Sequence, residues 1–265
     1  MTTECHDQTS ISDDKRCVGV SKDDDPVYSL CLDLDDPSYV WMNCGMYTED
    51  LSWLYDEDRD WPFQVALAKY TIRQVPIDDM CCLDTGSGRG GFCSFLRRYY
   101  SPRATIGMDI HRRQQTWTSR RFAGTGMRLV TGDAQRLPFV SESFDVVTNL
   151  ESVLHYRNRR CFFAEARRVL RRDGYLCLSC NVVDPEDVTA DMQSVGFTLV
   201  EVTDITEWIV KAATVDSRRI RELLLRMAKT DSAKTSARRL ATRAAASAQL
   251  FTARHRYCSW IVQAH

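Results

Sequence analysis

The stretch Cys81–Phe92, "CCLDTGSGRGGF", decides how the rest of the chain is read. A short apolar-leaning run ends in Asp84, and glycines at positions 86, 88, 90 and 91 follow almost at once. Glycine readily adopts positive φ and lets a backbone approach a ligand closely, so this is a turn between a strand and a helix. Such a turn aims backbone N–H groups and a helix N-terminus at whatever lies above it. Gly86, Gly88 and Gly91 also satisfy the G-x-G-x-x-G spacing of dinucleotide-binding turns. That spacing discriminates poorly, whereas Asp84 discriminates well. A carboxylate at the strand end repels a pyrophosphate and attracts a ligand carrying an ammonium or sulfonium. The plain alternative is an aspartate that caps the helix beside an ordinary turn.

The neighbouring strands weigh these alternatives. "ATIGMDI" (104–110) ends a second strand in Asp109, where an acid beside a glycine turn binds ribose hydroxyls or, more blandly, caps the next helix. "VTGDAQRLPF" (130–139) ends a third in Asp133, whose carboxylate can accept a hydrogen bond from an exocyclic adenine amine. "SFDVVTNLESVLHY" (143–156) supplies a fourth strand and the loop at its C-terminal edge, where ligands bind in open α/β sheets. S-adenosylmethionine carries both cations, a ribose and an adenine, and no phosphate.

Strands and helices alternate after Pro76. The pattern predicts strands at 80–84, 105–109, 128–131, 144–148, 175–179, 198–202 and 257–262. Helices are expected at 91–99, 112–122, 157–170, 185–194, 206–229 and 232–251. This alternation makes the fold class α/β: a Rossmann-like, seven-stranded, mostly parallel sheet with helices on both faces. Residues 1–25 read as a loose polar tail, 26–76 as an aromatic-rich N-terminal helical cap, and 77–265 as the core. A helical insertion at about 206–252 precedes the last strand. Within the cap, "VYSLCLDL", "YVWMNCGMYTEDLSWLY" and "WPFQVALAKYTI" are expected as short helices. Asp184-Pro185-Glu186-Asp187 reads as a helix start, and Gly174 after "EARRVLRRD" as a helix stop.

Composition narrows the partners. With 35 basic and 36 acidic residues the net charge is −1, so no global basic field argues for nucleic acid. No apolar run is long enough to span a membrane, and the acidic N-terminus resembles neither a signal nor a transit peptide. Eleven scattered cysteines read as reduced thiols in a cytoplasmic protein. Cys177 and Cys180 are spaced as C-x-x-C, but in a strand they face opposite sides, and no metal is expected. A small-molecule acceptor and a homodimer are compatible with this balance.

The glycine turn, the acid-ended second strand, "GDAQRLPF" and "FDVV", in this order, resemble the class I S-adenosylmethionine-dependent methyltransferases. The resemblance covers Met80 to Ser179, and "RYCSWIV" fits that family's antiparallel last strand. "NLESVLHY", "YVWMNCGMY" and "DMQSVGFTLVEVTDIT" are similar to small-molecule O-methyltransferases of polyketide, lipid and sugar tailoring, the phthiotriolone type included. The resemblance implies that Asp84, Gly86, Ser87 and Gly88 hold the methionine part of S-adenosylmethionine, and of its product S-adenosylhomocysteine. It implies Asp109 and Ile110 at the ribose and adenine, Asp133 and Ala134 at the adenine, and Asn149 beside the methionine moiety. His155 aligns with the histidine proposed as general base in the sugar-modifying relatives. Two departures stand out: Cys180 replaces an aspartate common at the end of strand five, and "NCGMY" lacks the usual Tyr-Trp pair.

Methyl transfer from a sulfonium is an in-line displacement with a good leaving group, so positioning carries most of the catalysis. A hydroxyl acceptor also loses a proton, and imidazole is the side chain suited to take it at neutral pH. His155 therefore reads as base or as a locally bonded histidine. Glu151 orients that base, binds the cofactor amine, or caps a helix. Tyr39, Trp41, Tyr47, Trp53 and Tyr55, with the helices holding Trp208 and Met227, are expected as walls of an apolar acceptor site. The leading expectation is O-methylation of a small, fairly apolar metabolite. C- or N-methylation, a methyltransferase-like protein without turnover, and an NAD oxidoreductase are the rivals.

Overall fold

The computed structural model describes residues 26–250 and 255–265, with side chains described for 29–242 and 255–265. One sheet is built from β1 (Cys81–Thr85), β2 (Ala104–Asp109), β3 (Arg128–Thr131), β4 (Phe144–Leu150), β5 (Leu170–Val182), β6 (Phe197–Asp204) and β7 (Arg256–Ala264). Their order is β3-β2-β1-β4-β5-β7-β6. Strands β1 to β5 pair in parallel, and β7 runs antiparallel to both β5 and β6. The order reverses between β1 and β4, which opens a crevice at the C-terminal ends of those strands.

The helices are α1 (Pro26–Asp33), α2 (Pro62–Thr71), α3 (Gly91–Tyr99), α4 (Arg112–Arg121), α5 (Arg159–Val169), α6 (Pro185–Gln193), α7 (Thr206–Met227) and α8 (Asp231–Leu250). Central strands are apolar on both sides because both faces are covered. Cys82, Val146, Cys177 and Ile261 join one core with residues of α2, α3, α7 and α8. Their chain neighbours Leu83, Val147, Leu178 and Trp260 join the other, with α5 and α6. This two-residue alternation separates Cys177 from Cys180, which belong to different cores as their strand spacing requires. No helix among the described residues is long and apolar enough to cross a membrane.

Two expected elements change. Residues 39–55 contain no helix. Gly45 sits at φ +79°, the Asn43 side chain accepts from the Gly45 N–H at 2.9 Å, and Asp50 accepts from the Ser52 N–H at 2.9 Å. Short polar side chains that bond nearby backbone compete with a helix, and here they win. Further along, α5 spans Arg159–Val169, within the expected 157–170 and capped by the Asn158 side chain, but Gly174 is not its stop. Residues 170–174 instead form a bulge that opens β5, since Phe144 faces Leu170 while Val146 faces Tyr175. Gly174 is needed there because a Cβ would lie 2.9 Å from the Asp145 carbonyl oxygen. The start of α6 is as expected, with Asp184 accepting from the Glu186 and Asp187 N–H groups. The tail at 1–25 and the helix end at Phe251 lie outside the described residues.

Candidate active site

The turn after β1 is fixed from three sides. Gly86, at φ +73°, lies so close to Ser152 that a Cβ would meet its hydroxyl at 2.0 Å. The Gly88 N–H donates to Asp109 Oδ2 at 2.9 Å, and from α4 Gln115 Nε2 donates to Ser87 Oγ at 3.1 Å and Thr118 Oγ1 to the Gly88 carbonyl at 3.1 Å. The Arg89 side chain is wholly buried and donates to the carbonyls of Cys31, Leu34 and Tyr39. Its guanidinium also lies 4.1 Å from the Trp117 ring centroid. Residues 31–39 are thereby tied to the turn, and the chain runs on from there over the crevice.

Two adjoining chambers open at the C-terminal ends of the strands. The larger, about 410 Å³, is lined by Asp84, Gly86, Ser87, Gly88, Glu151 and His155, with Val40–Asn43 against it. The smaller, about 110 Å³, is lined by Ile110, Asp133, Ala134, Gln135 and Tyr156. Gly86, Asp109, Ser152 and His155 border both, so together the chambers form one elongated site.

The carboxyls differ in setting. Asp84 is 2% exposed, accepts from Thr148 Oγ1 at 2.9 Å, and has the Cys93 thiol 3.7 Å away. Burial raises its pKa to about 7, the Thr148 and Cys93 hydrogen bonds oppose that rise, and Asp109 adds to it. Asp109 accepts from the N–H groups of Gly88 and His111, and burial still holds its carboxyl above the usual range. The expected ribose acceptor thus also does the local work of a turn-capping aspartate. Asp133 accepts from the Gln135 N–H at 2.9 Å, which sets the turn after β3.

Glu151, at φ +59°, caps no helix. Its Oε1 accepts from the Cys44 N–H at 2.9 Å and from the Tyr257 hydroxyl at 2.8 Å. Burial raises its pKa, against the pull of those hydrogen bonds. His155 closes the 3-10 turn Val153–His155, with an exposed side chain at the junction of the chambers.

Asn149 is a correction: it lines neither chamber and is fully buried. Its Nδ2 donates to Thr85 and to the Tyr156 hydroxyl, and its Oδ1 accepts from the Val153 N–H, so it builds the wall from behind. Of the aromatics expected around an acceptor, Trp41 lines the larger chamber and Trp53 lines a separate groove. Tyr39 and Met227 are core residues, and Tyr47 packs on Phe63. The residues missed from sequence are Arg89, Thr148, Ser152 and Tyr156. Ser152 and Tyr156 stand in the same "NLESVLHY" as His155, yet only the fold brings them against Gly86.

Asp84, Asp109 and Glu151 thus line the larger chamber, where the guanidinium of Arg89 is engaged by backbone carbonyls. The arrangement suits an elongated cationic ligand with a polar ring at one end, and the residues present fit S-adenosylmethionine on that ground.

A family described as "Methyltransferase domain" matches residues 83–178. The chain is 34% identical over 145 residues to a fatty-acid O-methyltransferase of Mycolicibacterium smegmatis, covering 54% of this chain and 53% of that protein. It is 34% identical over 151 residues to a phthiotriol/phenolphthiotriol dimycocerosates methyltransferase of Mycobacterium tuberculosis, covering 52% and 56%. The chain therefore spans about half the length of the relatives it matches. Among solved structures, the cyclopropane synthase MmaA2 of Mycobacterium tuberculosis superposes with a TM-score of 0.71 at 16% identity, covering 89% of this chain and 95% of that one. The cyclase SpnF superposes with a TM-score of 0.68 at 16% identity, covering 88% and 93%. The match to the methyltransferase-domain family runs from the acid end of β1 into β5, in a chain with the class I methyltransferase fold.

Proposed function

We propose that the chain binds S-adenosylmethionine along the two chambers and transfers its methyl group to a hydroxyl of a small, lipid-like acceptor. The observation that carries this reading is the Asp84 carboxyl, buried beside a glycine turn and facing a chamber where a phosphate would be repelled. In this reading Asp84 receives the ammonium and Asp109 the ribose hydroxyls. Ile110 and Ala134 flank the adenine, and Asp133 accepts from its amine. S-adenosylmethionine supplies a methyl group on a sulfonium, open to attack from the side opposite the leaving sulfur.

His155, at the junction, takes the hydroxyl proton as the acceptor oxygen is methylated, a role worth about 10²–10⁴-fold in rate. Glu151 holds Cys44 and Tyr257 in place and so fixes the wall on the acceptor side. The names of the relatives, a fatty-acid O-methyltransferase and a phthiotriol methyltransferase, support a lipid-like acceptor. Cys82, Cys93, Cys177, Cys180 and Cys258 are buried thiols outside any disulfide, which suits a reducing cytoplasm.

Calorimetry with S-adenosylmethionine and NAD tests the cofactor, and tight NAD binding without S-adenosylmethionine binding would overturn it. Incubation of hydroxylated lipids with methyl-labelled cofactor tests the reaction. A label found on carbon or nitrogen would replace O-methylation by its rivals.

A further inference from the structure

Alongside α2 runs a groove of about 560 Å³ that the cofactor reading does not use. Met46, Trp53, Tyr70, Ile72, Val75 and Tyr100 give it an apolar floor. Asp50, Lys69 and Gln74, all exposed, give it a polar rim. Lys69 reaches across, its ammonium 3.8 Å from the Trp53 ring centroid. An apolar floor within a polar rim fits the body of an amphiphile.

Two observations connect the groove to the chambers. The first is covalent: Asn43 borders the larger chamber and Met46 borders the groove. Three residues of chain reach at most about 11 Å, so the two sites are near neighbours. The second is packing. Met46 belongs to a small apolar cluster with Leu67 and Tyr257, against which both Leu150 and Tyr70 pack. Leu150 lines the larger chamber and Tyr70 the groove, so a single apolar cluster stands between the two.

The chambers must hold the cofactor and the reacting head, and a long alkyl tail needs further apolar surface. We infer that the groove along α2 seats the alkyl tail of the acceptor while its hydroxyl head enters the larger chamber past residues 43–46. The inference rests on the proposed methyl transfer to a lipid-like acceptor. Each methylene laid on such a floor tightens binding by about fourfold until the groove is filled.

Two measurements on the full chain with S-adenosylhomocysteine or S-adenosylmethionine decide it. The first is photo-crosslinking with a diazirine-bearing palmitate, followed by peptide mapping. Labels on peptides carrying Trp53, Tyr70 or Val75, lost on competition with plain palmitate, are expected. Labels confined elsewhere, or none, would overturn the inference. This readout needs no turnover, so it stands apart from failure of the methyl-transfer reading, which would show as labelled groove peptides without any methylated product.

The second is kinetic, with fatty alcohols of increasing length. In the wild type KM should fall with chain length. Thr48→Trp, which fills the groove from its rim, should raise KM for the longest alcohol by about tenfold or more. Short-chain kcat/KM and S-adenosylhomocysteine affinity should not move. Trp53→Ala should weaken the long-chain preference in the same sense if Thr48→Trp does not fold. A chain-length dependence identical in wild type and folded variants would reject the groove as the tail site.

Discussion

A buried carboxyl with a pKa near 7 makes Asp84 a proton-linked group at the wall of the larger chamber. In the unfolded chain an aspartate titrates near 3.9. The folded state therefore holds an extra proton between about pH 4 and pH 7, and stability of the ligand-free protein should fall as pH rises through that window and then level off. A cationic ligand reverses the preference, because it favours the carboxylate. Binding of S-adenosylhomocysteine should release a proton below pH 7, weaken by about tenfold per unit of acidification there, and plateau above. Calorimetry in buffers of different ionisation enthalpy would read the proton, and Asp84→Asn should abolish both the release and the slope. His155→Ala belongs to the same scale. Turnover should drop by about 10²-fold or more while S-adenosylhomocysteine affinity changes far less, and full activity in a folded variant would remove the base from His155. The place of Asp84 and Asp109 at the larger chamber was legible because both lie at the C-terminal ends of their strands, where an open α/β sheet forms its crevice. Asn149 was not, because its place one step from the loop says nothing about which side its amide serves.

Elements were legible where periodicity and caps agreed. Central strands buried on both faces leave short apolar runs between turn residues, β6 alternates instead, and all seven overlap the stretches where the sequence puts them. The cap was misread over residues 39–55 because its aromatics mark what they pack against: Tyr39 stacks on Trp61, and Trp53 and Tyr55 contact Tyr99. Apolar content there reports burial, and the Asn43 and Asp50 turns set the backbone. Where a cap was legible its energy can be tested. Asp184→Ala removes the acceptor for two N–H groups at the start of α6 and should cost about 1 kcal/mol. A melting temperature lower by about 2–4 °C with cofactor affinity unchanged is expected. Loss of binding would instead tie α6 to the site.

At the scale of the whole molecule, Arg89 and Glu151 join parts that are far apart in sequence. Arg89 fastens residues 31–39 to the glycine turn, and Glu151 fastens Cys44 to Tyr257 on β7. The segment between these two anchors borders the larger chamber, so both anchors hold one of its walls. Nothing local in "GSGRGG" signals that its arginine is buried; the carbonyls of residues 31, 34 and 39, the Gln114 side chain and the Trp117 ring, brought there by the fold, make burial tolerable. S-adenosylhomocysteine at about one hundred times its Kd should stabilise the fold by about 2.7 kcal/mol, a rise in Tm of roughly 5–10 °C. Proteolysis within residues 34–48 should slow in parallel, because residues 40–43 line the chamber in which the ligand is proposed to bind. Arg89→Met keeps the length of the side chain but strands the Leu34 and Tyr39 carbonyls, while that of Cys31 keeps the Leu34 N–H, at a cost of about 2–6 kcal/mol. It should speed cleavage of residues 34–48 and shrink the ligand-induced protection, whereas a variant with a single intact anchor at Glu151 and unchanged protection would show that the two ends act independently.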